Sequence, residues 1–92
     1  MTRAEKKYVI AWTYAQAKHY AQSIMRWKCD EWVYVNDTYR LRGLYGILMY
    51  DVRAPRYEPE KHEIARMEAI QQETQIMNSA GRIARLNVVN LP

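Results

Sequence analysis

Between Trp32 and Pro55 the chain reads WVYVNDTYRLRGLYGILMYDVRAP: an apolar run, a polar loop carrying Arg-Leu-Arg-Gly-Leu, and a second apolar run that ends on an acid. Short runs rich in β-branched and aromatic residues read as strands. The second of them, GILMYDV from Gly46 to Val52, is apolar almost without a break, the pattern of a strand buried on both faces. Such strands run parallel beneath helices, so this one stretch points to a layered α/β sheet. A basic, glycine-containing loop beside those strands sits where open sheets bind ligands. It marks a face and names no reaction.

The rest of the chain fits around that sheet. Tyr8 to Thr13 is a first strand, and Thr13 with Gln16 three residues later forms a capping-box signal for a helix that follows almost at once. Ala17, Tyr20, Ala21 and Ile24 recur at the spacing of one buried helical face, and Arg26 and Lys28 suit the negative end of the helix dipole. Glu31 to Val35 is a second strand and Gly46 to Val52 a third. Pro59 reads as the first residue of a long helix, with Glu58, Glu60 and Glu63 in its opening turn and Gly81 as its stop. Its apolar seam, Met67, Ile70, Thr74 and Met77, is narrow, with Ile64, Ala65 and Ala69 beside it. Arg82 to Asn90 alternates loosely; it is a fourth strand, an extension of the helix, or a segment that crosses to a second subunit. The expected fold is a small open, mainly parallel three- or four-stranded sheet with two main helices.

At 92 residues and 49% hydrophobic content the chain is expected to form one domain close to the size at which burial leaves little stability in reserve. Within it, residues 8–57 hold every tryptophan and tyrosine, 58–81 the long helix, and 82–92 the last strand or tail. Dimerisation is an easy route to more burial. The single Cys29 closes no internal disulfide, which favours a reducing compartment, and the charged stretch Met1 to Lys7 together with the lack of a long apolar run argues against a signal peptide or membrane span. The expectation is a cytoplasmic protein without a membrane partner. A net charge of +4 allows contact with polyanions and does not require it.

VIAWTYAQAKHYAQSIM resembles the opening strand and helix of the second RecA-like domain of superfamily 2 helicases, and WVYVNDTYRLRGLYGILMYDVRAP is similar to a later stretch of that domain. There a strand ends in a Thr-Asp type loop, an Arg-Gly pair follows, and the next strand finishes near an Asp and a Pro. The resemblance covers residues 8–55 and implies that Asp37, Thr38, Arg42 and Gly43 occupy a loop touching nucleic acid and the nucleotide cleft. The chain also looks like small Rossmann-like proteins encoded by bacteriophages, which implies a host cytoplasm as its setting. It departs from the helicases in lacking a phosphate loop, an Asp-Glu pair after a strand and an arginine-finger helix, so the match implies binding without a motor.

Tyr39, Arg40, Arg42, Tyr45, Tyr50, Arg53, Arg56 and Tyr57 interleave guanidinium groups that pair phosphates with rings that stack on bases. The structural alternative makes Tyr45 and Tyr50 core or half-buried strand residues and the arginines a solvated rim paired with Asp37 and Asp51. The candidate ligand or nucleic-acid face is therefore Asp37, Thr38, Arg40, Arg42, Gly43, Arg53, Arg56 and Tyr57. No catalytic residue is assigned. Asp51, Asp37 and Thr13 lie near strand ends without a second acid at a telling spacing, His19 and His62 have no ligand partner at helical spacing, and Cys29 has no base beside it. Neither a metal nor a cofactor is called for.

These residues favour a non-enzymatic binding or adaptor protein that docks on a host protein or forms a homodimer through Met67, Ile70, Thr74 and Met77, because a narrow, methionine-bearing seam adapts to another surface. The alternative is a nucleic-acid-binding module using the face from Tyr39 to Tyr57. A third, minor reading is a small nucleotide-handling enzyme acting at the strand ends.

Overall fold

The computed structural model describes residues 6–92, so residues 1–5 of the charged opening stretch lie outside it. The elements run β1 (Lys7–Ile10), α1 (Tyr14–Lys18) passing into a π-helical turn (His19–Ile24), β2 (Trp32–Tyr34), a 3₁₀ turn (Thr38–Leu41), β3 (Ile47–Arg53), α2 (Lys61–Ser79) and β4 (Ile83–Asn90). The four strands form one sheet in the order β2-β1-β3-β4. Every pairing is parallel. Of the three readings of the final segment, the strand is the one adopted.

Parallel pairing requires each connection to return the chain across the sheet, and the two faces share that work. α1 and its π turn carry the chain from β1 out to β2 on one face, where Ala17, Tyr20 and Ala21 pack on Val9, Ala11, Trp32 and Val52. α2 lies on the other face, where Met67, Ile70 and Met77 pack on Ile10, Ile47 and Met49. β3 therefore buries side chains on both sides, as its apolar sequence requires.

Local signals explain where the helices begin and end. Thr13 Oγ1 accepts the Gln16 N–H at 3.2 Å, which is one half of the expected capping box. α2 starts at Lys61, two residues after Pro59 and directly after its N-cap Glu60; the Glu63 N–H donates to the Glu60 carbonyl at 3.0 Å while the Glu63 carboxylate takes the Glu60 N–H at 2.9 Å. At the far end the N–H groups of Gly81 and Arg82 reach back to the carbonyls of Asn78 and Met77 at 3.1 and 2.9 Å. Gly81 takes φ +72°, the left-handed conformation such a stop needs.

Two expectations need correction. Ile24, placed on the buried face of helix 1, is exposed, because the π turn shifts the register by one residue; its signature is the Met25 N–H bonded to the Tyr20 carbonyl. The seam of Met67, Ile70, Thr74 and Met77, expected to meet a partner, is buried against the chain's own sheet. Met67, Ile70 and Met77 meet there not only the strands but also Val35 and Leu41, and Leu44 packs against the same cluster, so the connection from β2 to β3 supplies the apolar surface that the narrow seam lacked.

Candidate functional site

That connection is the first of two candidate surfaces. It leaves the carboxyl end of β2 and must reach the amino end of β3, since the strands are parallel and β1 lies between them. Asn36 and Asp37 stand near the strand ends where ligands were expected, but the loop then descends the α2 face, and Arg-Leu-Arg-Gly-Leu finishes at the opposite rim. Arg82, just before β4, fixes it there: its Nε donates to the Leu44 carbonyl at 2.9 Å and its Nη2 to the Leu41 carbonyl at 3.2 Å. The Gly46 N–H in turn donates to the Arg82 carbonyl at 2.8 Å. Only Leu41 of the 3₁₀ turn is buried. Asp37 caps that turn by accepting the Arg40 N–H at 3.3 Å, and Thr38 is its first residue.

The two tyrosines of this connection project outward. Tyr39 and Tyr45 are each 75% exposed, so Tyr45 is neither core nor half-buried. Each carries a guanidinium over its ring, Arg42 at 5.5 Å from the Tyr39 centroid and Arg82 at 5.0 Å from the Tyr45 centroid. Such stacking orients Arg42 while leaving its N–H groups available to an anion, whereas Arg82 commits its Nε and Nη2 to the Leu44 and Leu41 carbonyls. Among the described residues the acid pairs are Lys7 with Glu31, Arg53 with Asp51 and His62 with Glu60, so Arg40 and Arg42 have no carboxylate partner. Gly43, between the tyrosines, adopts φ +74° and turns the chain.

The second surface is the crevice at the carboxyl ends of the strands. The chain leaves β1 toward one face and β3 toward the other, and such a switch point opens a cleft between them. Here the cleft is about 530 Å³, lined by Trp12, Asp51, Arg53, Pro55, Gln71 and Asn90 among others. Arg53 Nη2 bonds to Asp51 Oδ2 at 3.3 Å along its wall. One flank is closed by the chain itself: Arg66 of α2 donates to the Trp12 carbonyl and to the Tyr34 hydroxyl, and that hydroxyl donates to the Ala11 carbonyl at 3.2 Å. Burial raises the Tyr34 pKa, with Arg66 opposing, so this hydroxyl stays protonated.

The expected site therefore divides. Asp37, Thr38, Arg40, Arg42 and Gly43 belong to the descending connection, whereas Arg53 ends β3 and Arg56 and Tyr57 follow it at the other rim. Arg56 is exposed there, and Tyr57 turns its hydroxyl to Glu63, donating within 2.8 and 3.0 Å of the two carboxylate oxygens. Arg82 and Arg66 were absent from the expected set. Both act across the fold, and no local pattern announces such contacts.

Glu63 connects this rim to stability. The Glu60 N–H first, and the Tyr57 hydroxyl second, hold its carboxyl below the usual value of 4.5, while the same bond raises the Tyr57 pKa. A depressed folded pKa stabilises the chain above the unfolded value and loses that contribution as pH falls through the folded one. Wild-type protein should therefore show a higher melting temperature than Glu63→Gln at pH 6, with the gap closing as pH falls below about 4.5. A gap that is constant from pH 6 to pH 3 would refute the assignment.

These features define an open parallel α/β protein with a basic, aromatic connection at one rim and a polar crevice at the other. Comparison with family models, curated proteins and solved structures gave no match. Among the described residues no helix is long and apolar enough to cross a membrane, and no three His, Cys, Asp or Glu side chains gather as a metal site.

Proposed function

We propose that this is a binding protein for single-stranded nucleic acid, held by the connection between β2 and β3. The observation that carries the reading is the pair of solvent-projecting tyrosines, Tyr39 and Tyr45, each with a guanidinium across its ring. A tyrosine 75% exposed contributes little to a core, whereas open rings with Arg40 and Arg42, which have no carboxylate partner, close by in sequence supply what stacking on a base and contact with the adjoining phosphate require. The resemblance to helicases supports the same loop. Capture of a host protein through the α2 seam loses its support, because that seam already covers the sheet.

Fluorescence anisotropy with labelled single-stranded DNA and RNA tests the reading. Tyr39→Ala and Tyr45→Ala should each weaken binding by about 1–3 kcal/mol. Arg40→Ala and Arg42→Ala should each flatten the dependence of log affinity on log salt, by about 0.7 per lost phosphate contact. Absence of binding at low salt, or binding that both tyrosine substitutions leave unchanged, defeats the proposal.

A further inference from the structure

The two edges of the sheet differ in how they are protected. β2 is only 3 residues long, short enough to offer little to a stray strand. β4 runs for 8 residues, with no proline or lysine within it, and its one irregularity against β3 falls at its start, where Ala84 is the unpaired residue. The Leu91 N–H donates to the Arg53 carbonyl at 2.7 Å, which directs the main-chain groups of Leu91 toward β3. By the alternation of a strand, those of Val89 and Asn87 point the same way, and those of Leu86, Val88 and Asn90 point outward to the open edge.

The side chains around this edge are incompletely covered as well. Leu86 and Val88, in register with Met49 and Asp51, lie on the face that α2 covers farther in, yet they remain 39% and 52% exposed. They line a groove of about 210 Å³ with Gln71, Thr74 and Gln75. From Leu86 to Leu91 no side chain is ionisable, although the chain carries a net +4. This neutral strip lets two copies of a basic chain meet without opposing like charges.

We propose that β4 pairs antiparallel with the β4 of a second copy about a two-fold axis through Asn87, which joins the two sheets into one. In that register Leu86 lies opposite the partner's Val88, and Val88 opposite the partner's Leu86, so both half-exposed apolar side chains are covered twice over. Their outward main-chain groups form the hydrogen-bonded pairs. Arg85 falls opposite the partner's Val89 and not against another arginine. Moving the axis to Val88 sets Leu86 against Asn90; moving it to Leu86 sets Val88 against the bulged Ala84. A junction of one strand against another is smaller than the roughly 800 Å² per partner of a standard interface, which places it among weak, reversible contacts.

Light scattering on the eluting protein at tens to hundreds of micromolar should give a mass approaching twice the 11.0 kDa of one chain. Val88→Lys should return the single-chain mass with an unchanged circular dichroism spectrum and, at concentrations too low for the wild type to pair, an unchanged thermal transition. The register has its own test. Asn87 would form a non-hydrogen-bonded pair with its counterpart, with Cα atoms about 4.5 Å apart, inside the span of a disulfide. With the exposed Cys29 replaced by Ser, an Asn87→Cys chain should become a covalent dimer under mild oxidation, and an Arg85→Cys chain should not. A wild-type chain that stays at single-chain mass, a dimer that Val88→Lys leaves intact, or crosslinking through position 85 as fast as through position 87 overturns the proposal.

Discussion

Ile70→Glu is expected to leave a chain that does not fold. Ile70 sits in the middle of α2 among Met67, Met77, Ile10 and Met49, almost fully enclosed. A glutamate there loses the apolar burial of isoleucine and brings a carboxylate into a site with no cation to pair it. Substitutions of that kind lie beyond about 4–5 kcal/mol, which for a domain of this size is comparable with the whole free energy of folding. Circular dichroism should show no cooperative thermal transition. Ile76→Glu, on the solvent side of the same helix, should remain within about 0.5 kcal/mol of wild type. A folded Ile70→Glu chain that merely changed its state of association would restore the seam as an interface between molecules.

The seam shows what a sequence reading can and cannot reach. Its spacing was legible, because residues that share one face of a helix recur every three or four positions whatever they pack against. What covers it was not. A stripe of four residues appears too thin when only a sheet is counted, and the missing apolar surface comes from Leu41 and Leu44, which stand in a stretch that reads as a polar loop. The strands and the stop of α2 were legible for a similar reason: Gly81 at the stop and the unbroken apolar run of β3 act within a few residues of themselves, whereas the start fell at Lys61 and not at Pro59. The π turn was hidden because one residue added within a helix leaves the apolar spacing on either side unchanged in kind; just beyond it Trp27 meets Tyr50 edge-on at 4.9 Å while its main-chain N–H reaches back to the Ala21 carbonyl.

The candidate site was legible as residue types and not as a place. Arginine and tyrosine interleave in the sequence from Tyr39 to Tyr57, yet a parallel sheet separates its two halves, because β3 carries the chain from one rim to the other between them. Once β2 and β3 are parallel and lie on either side of β1, the descent of the loop is forced. The order of strands was the missing fact. It depends on which crossover packs on which face, and neither periodicity nor capping encodes that.

The descent also ties the binding surface to the core, and Leu41→Ala should reveal the link. The connection contains no α-helix, only the 3₁₀ turn, and Leu41 is the one fully enclosed side chain of that turn. Truncating it removes buried methyl groups and leaves a cavity among Val35, Met67, Ile70 and Met77, at a cost of about 2–5 kcal/mol. The midpoint of urea unfolding should fall while the slope stays close to that of wild type, since the area exposed on unfolding hardly changes. Affinity for single-stranded nucleic acid should fall too, although Leu41 is enclosed and touches no ligand. Leu41 stands between the two exposed tyrosines, and its carbonyl receives the Arg82 guanidinium that stacks on Tyr45. A loosened turn gives both rings more conformations to lose on binding. If Leu41→Ala lowers stability and leaves affinity untouched under conditions where the chain is fully folded, the tyrosines do not depend on the turn for their placement.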